Sequence, residues 1–209
     1  PEKNAGFTTS QSMLYNGVRK NVLYRQAIMR KPPNNGVGYI IDLAEIIIPG
    51  GIIRIDRSRL AFEYELTLGH YGLPHIKGNK AEIHQFEEGT KKVITAAIPG
   101  RRLALITYGG WDKVAATIHT GRNAEADEST VLYAYKKRMA KNPAIELMIT
   151  VLLHKTDDNE WTEEELSPVK KIEIMDITPS YSVLGANITL SDNKEYEIDF
   201  KDIDGYRTC

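Results

Sequence analysis

Leu60-Ala61-Phe62-Glu63-Tyr64-Glu65-Leu66-Thr67-Leu68 decides the fold. Phe62, Tyr64, Leu66 and Leu68 alternate with Glu63, Glu65 and Thr67. Successive side chains of a strand point to opposite faces, so this period of two predicts a strand with one face buried and one wet. The pattern returns further along the chain. Tyr196, Ile198 and Phe200 alternate with Glu195, Glu197 and Asp199, Ile172 and Ile174 alternate with Lys171 and Glu173, and Val131, Tyr133 and Tyr135 repeat it over a shorter span.

Around these half-buried strands stand runs that read as more deeply buried: Tyr39 to Ile48, Leu103 to Thr107 and Glu146 to Leu153. β-Branched residues and leucine dominate them, as a pleated surface packed on both sides favours. Turn signals punctuate the chain, including Pro49-Gly50-Gly51, Gly72-Leu73-Pro74, Pro99-Gly100, Gly109-Gly110 and Ser191-Asp192-Asn193. About a dozen strands separated by turns every eight to twelve residues predict an all-β fold, a large antiparallel two-layer β-sandwich of supersandwich type. Helix signals are few. Thr162-Glu163-Glu164-Glu165 has capping-box spacing, and Pro168 stops it within about two turns. No repeat or flexible linker divides the chain, so residues 1–209 read as one domain.

Composition narrows the function classes. Of 209 residues, 42% are hydrophobic and 26% charged, which suits a folded globule. Lys and Arg number 27 against 28 Asp and Glu, a net charge of -1, so there is no basic excess to neutralise the phosphates of a nucleic acid. No apolar run approaches the roughly 20 residues of a membrane-crossing helix. The single cysteine, Cys209, excludes an intrachain disulfide and a cysteine-based zinc cluster. With no disulfide requirement, both an extracellular and a cytoplasmic setting fit. The chain starts at Pro1 without a methionine, so it reads as part of a longer protein. Phosphate-binding glycine loops, the G-x-S-x-G elbow, H-E-x-x-H and the dinucleotide fingerprint are all missing.

The candidate site residues sit between or at the ends of strands. Gly69-His70-Tyr71-Gly72-Leu73-Pro74-His75 reads as a loop after the Leu60–Leu68 strand. His70 and Tyr71 are the candidate proton-transfer pair, with His75 beside them to bind substrate; the competing reading has the histidines bonding loop backbone. Trp111, after Gly109-Gly110, either stacks on a sugar face or plugs the end of the sandwich, and plugging is the reading favoured by the usual burial of tryptophan. His119, Arg122 and Asn123 form a polar group that is able to hold a carboxylate, against the alternative of a polar turn. The acidic stretch from Asp157 to Glu165 lacks calcium-loop spacing and reads as a solvated turn, so no metal is assigned. His84 and His154 lie in strand-like runs and read as structural. Aromatic residues are scattered, with no evident exposed row. Asn187-Ile188-Thr189 is a glycosylation sequon.

Two blocks of sequence resemble the β-sandwich domain of the heparinase II/III-like polysaccharide lyases. The first is Leu23-Tyr24-Arg25-Gln26-Ala27, then Gly38-Tyr39-Ile40-Ile41-Asp42-Leu43, then Pro49-Gly50-Gly51; the second is Ala126 to Tyr135 with the strand from Ile145 to Leu153. The resemblance implies the C-terminal portion of a larger enzyme whose N-terminal helical toroid is its partner. The substrate would be a uronic-acid-containing polysaccharide or oligosaccharide, cleaved by β-elimination. It also implies that this portion is inactive alone, because the toroid contributes key residues. No cofactor is expected in this chain. The family's histidine-rich, sometimes zinc-binding stretch is not found here, which leaves zinc or calcium to the rest of the parent. The rival expectation is a non-catalytic carbohydrate-binding or structural accessory domain. Neither reading includes a nucleic-acid or membrane partner.

Overall fold

The computed structural model describes residues 12–19, 22–30, 37–59, 64–75, 80–109, 111–120, 128–138, 145–177 and 183–200. These residues form fourteen strands: β1 Ser12–Arg19, β2 Val22–Arg30, β3 Val37–Ile48, β4 Gly51–Arg59, β5 Tyr64–Pro74, β6 Glu82–Glu88, β7 Lys91–Ile98, β8 Arg101–Tyr108, β9 Lys113–Thr120, β10 Glu128–Arg138, β11 Ile145–Lys155, β12 Val169–Ile177, β13 Val183–Leu190 and β14 Glu195–Asp199. The expected all-β antiparallel sandwich is what the chain forms. Eight strands make one sheet in the order β1-β2-β3-β4-β11-β8-β7-β6, and two smaller sheets run β5-β10-β9 and β12-β13-β14. Every pairing is antiparallel.

The hairpins follow from local chemistry. Ile48 pairs with Gly51 and Ile98 with Arg101, which leaves Pro49-Gly50 and Pro99-Gly100 as two-residue turns. Proline fixes the first φ of such a turn, and glycine takes the left-handed second position, at 72° and 74°. Gly51 has a different reason to be glycine. A Cβ there would run into the carbonyl oxygen of Leu152 on the neighbouring strand.

Period-two alternation gives the large sheet two apolar faces. On one, Ile53, Ile55, Val93, Ile106, Ile149 and Val151 meet Val169, Ala186, Ile188 and Ile198 of the β12-β13-β14 region. On the other, Ile94, Ala96, Leu105 and Met148 meet Leu73, Val114, Leu132 and Ala134 of the β5-β10-β9 sheet. Each small sheet therefore makes a two-layer sandwich with the large one, on opposite faces. Full burial of one such aliphatic side chain stabilises the fold by about 1.5–3 kcal/mol. Arg57 shares the first core, fully buried, with its guanidinium carbon 4.7 Å from the centre of the Phe200 ring; a desolvated contact of this kind contributes about 2 kcal/mol.

The link between β11 and β12 is an acidic strap. Its capping box forms as the spacing predicts: Thr162 N–H donates to Glu165 Oε2 at 2.8 Å, and Glu165 N–H donates to Thr162 Oγ1 at 3.2 Å. It closes one turn, residues 163–166, and no α-helix follows. Lys155 reaches Glu165 at 2.6 Å and lies over the Trp161 ring, while Arg102 pairs with Glu160 at 2.7 Å. The Lys155 hydrogen bond and the Thr162 amide hold the Glu165 carboxyl below its ordinary range. Among the described residues no group of three or more acidic, histidine or cysteine side chains is arranged to hold a metal. No helix among them is long and apolar enough to cross a membrane.

Gly51→Ala is expected to cost about 1–3 kcal/mol, as for other additions to a closely packed interior. The denaturant midpoint reads this directly. A midpoint unchanged from the parent chain would contradict the close approach of β4 and β11.

Candidate functional site

The β5-β10-β9 sheet covers only part of its face of the large sheet. Over β3, β4, β11 and β8, near the Pro49-Gly50 turn, a groove of about 530 Å³ is left. Its apolar floor comes from Ile47, Ile52, Leu103 and Leu152, and Gly72 and Leu73 of β5 form one wall. Ile47 keeps 80% of its surface exposed, a large apolar side chain that the small sheet leaves uncovered. Arg101 and His154 stand exposed at the rim. Arg102 and Lys155 also line the groove, but both are tied to the acidic strap. The groove thus combines an apolar floor with an exposed guanidinium and an exposed imidazole at its rim.

Further along the same face the large sheet is polar. Arg54 is paired across the strands with Glu45 and Thr150, and Thr150 with Thr107. Arg54 Nε donates to Asp56 Oδ2 at 2.9 Å and Nη2 to Oδ1 at 2.9 Å, and Asp56 is wholly buried. Burial pushes the Asp56 carboxyl up, while the Arg54 charge and hydrogen bonds pull against it. Trp111 closes this region. It is 4% exposed, its ring sits in the core, and Nε1–H donates to Thr150 Oγ1 at 2.9 Å.

The remaining residues singled out in the sequence fall in different places. The Gly69–Pro74 segment is not a loop. β5 continues through it, paired with β10, because ladder hydrogen bonds along ten residues outweigh local turn preference. His70 stands opposite Leu132, and Tyr71 is the unpaired residue where the register shifts. His75 ends the strand. Its backbone N–H donates to Glu128 O at 2.7 Å, its Nε2 lies 2.8 Å from Thr130 Oγ1, and its Nδ1 lies 3.4 Å from Glu128 Oε2. Its side chain is 2% exposed, so His75 is a clasp between β5 and β10 and is not open to substrate. Trp111 is likewise withdrawn from any sugar and plugs the sandwich. His119 is exposed on β9, opposite Ser129. Arg122 and Asn123 lie outside the described residues. His84 and His154, read as structural, are both exposed, His84 because β6 is the sheet edge. Of the two rim residues, Arg101 was not singled out by the sequence and His154 was read as structural, since nothing local marks which part of a face stays uncovered.

The class this architecture defines is a multi-sheet antiparallel β-sandwich with a cation-rimmed apolar groove. No protein-family model and no curated protein sequence matches the chain. Among solved structures, the fold matches a heparinase III over 90% of this chain and 27% of that one, with a TM-score of 0.53 and 10% identity. It also matches the heparan sulfate lyase HepC from Pedobacter heparinus, over 91% of this chain and 28% of the lyase, with a TM-score of 0.52 and 9% identity. The chain thus spans about a quarter of the length of those proteins and shares the fold of that portion.

Arg54→Met leaves the buried Asp56 without its counter-charge and is expected to cost about 3–5 kcal/mol at neutral pH. A carboxyl whose folded pKa lies above its unfolded value, about 3.9 for Asp, binds its proton more tightly in the fold. Its contribution is fully present below the unfolded pKa and is lost as pH rises through the folded one. Without Arg54 nothing opposes that upward push, so the deficit should shrink between neutral and mildly acidic pH. Unfolding free energies of both chains at the two pH values check this; a deficit independent of pH would contradict it.

Proposed function

We propose that this chain is the C-terminal β-sandwich portion of a polysaccharide lyase that cleaves uronic-acid-containing glycans by β-elimination. The observation that carries the reading is the groove. An apolar floor with exposed Arg101 and His154 at its rim suits a sugar that bears a carboxylate, in a fold shared with part of a heparinase III and part of a heparan sulfate lyase. In β-elimination a base removes the C5 proton, the C4–O4 bond breaks, a C4=C5 double bond forms, and an acid protonates the departing O4. A cation on the carboxylate makes the C5 proton acidic enough to remove. Arg101 fits that last role.

The base and the acid come from elsewhere in this reading. Among the described residues, the groove has one histidine and no tyrosine. The N-terminal helical domain of the parent would form the opposite wall and complete the site. A second reading, a non-catalytic carbohydrate-binding or structural accessory domain, is favoured by the same incomplete inventory.

The 209-residue chain alone is expected to leave uronic-acid polysaccharides uncut, while the longer protein with its helical domain produces the ultraviolet absorbance of unsaturated uronate. That absorbance from the chain alone would overturn the division of labour. New reducing ends from the longer protein without that absorbance would mean hydrolysis and would overturn the lyase reading.

A further inference from the structure

The β5-β10-β9 sheet has an outward face that the groove does not include. Leu132 and Ala134 of β10 are buried against the large sheet, so the alternate residues Tyr133 and Tyr135 lie on the other side, half-buried. They stand two residues apart on the central strand of the three. The residues paired with Tyr133 are Ala115 on one side and Gly69 on the other. Neither has a side chain large enough to cover an aromatic ring beside it. The alternation in the sequence already sets these tyrosines on one face; what it does not show is that Leu132 and Ala134 are the residues buried against the large sheet, which leaves the tyrosine face outward.

The same face carries a lysine and a histidine. Lys113 pairs with Tyr135, and His119 lies six residues further along β9 on the same side; both are exposed. At about 3.4 Å per residue the two are about 20 Å apart, a span for an oligosaccharide and not for one sugar. Of the carboxylates at either end, Asp112 lies 3.4 Å from Lys136 Nζ, and Glu128 lies 3.4 Å from His75 Nδ1. Aromatic rings match the apolar faces of pyranose rings, and the Lys113 ammonium beside them matches a carboxylate or sulfate group.

We infer that this outward face, centred on Tyr133 with Lys113 and His119 at its ends, is a second binding surface for a linear acidic polysaccharide, separate from the groove. The inference deepens the lyase reading by giving the same substrate class a holding site away from the bond that breaks. It rests on that reading only for the identity of the substrate. A helical domain docked on the face is the competing occupant.

The test is equilibrium binding of a size-defined heparan sulfate oligosaccharide to the 209-residue chain. Tyr133→Ala is expected to weaken binding at least about tenfold with the thermal midpoint unchanged, and Lys113→Glu, at an exposed position that tolerates substitution, to weaken it severalfold with a shallower salt dependence. If Tyr133→Ala disturbs folding, Lys113→Glu decides alone. Unchanged affinity in the folded variants overturns the inference and leaves the face to a protein partner. Arg101→Ala with His154→Ala tests the groove separately. A chain that binds through Tyr133 while the longer protein fails to cut would sink the lyase reading and leave this surface standing.

Discussion

The fold depends on β11. It joins two antiparallel meanders, β1 to β4 on one side and β6 to β8 on the other, into a single eight-stranded sheet. Its side chains divide between two cores. Ile149, Val151 and Leu153 enter one, and Met148, with Leu152 packed beside it, enters the other. A strand buried on both faces cannot shift register by one residue without exchanging its two apolar sets, so β11 fixes the alignment of its neighbours. The near-continuous apolar run Leu147-Met148-Ile149-Thr150-Val151-Leu152-Leu153 is the signature of such a strand. Its one polar residue, Thr150, receives the Trp111 hydrogen bond.

From this arrangement both candidate surfaces follow. The small β5-β10-β9 sheet shields one end of the large sheet and stops short of the β3-β4 turn. The uncovered remainder is the groove, with Arg101 and His154 at its rim supplied by the ends of β8 and β11. The other surface of the same small sheet carries Tyr133 and Tyr135. Gly72 belongs to both, lining the groove and sitting exposed at the edge of the outward face. Lacking a side chain, it leaves a low saddle between them.

The strands were legible because alternation is a direct imprint of the pleat. Glu195 to Phe200 and Tyr39 to Ile48 needed no tertiary knowledge. The site was less legible, for physical reasons. Gly69, Gly72 and Pro74 favour turns locally, and only the β10 ladder makes the segment a strand. Arg54 and Asp56 look like the wet face of β4 in sequence, yet Asp56 is wholly buried. Arg101 and His154 matter through what the small sheet fails to cover, a property of assembly and not of any window of sequence. Trp111, by contrast, went where the usual burial of tryptophan sends it.

In the proposed function the groove receives a sugar carboxylate. A crystal structure of the chain soaked with a uronic-acid disaccharide tests it most directly. The disaccharide is expected on the Ile52–Leu152 floor with its carboxylate within hydrogen-bonding reach of Arg101, about 2.7–3.2 Å. An empty groove at saturating ligand, or a disaccharide bound with its carboxylate turned to solvent, would contradict it.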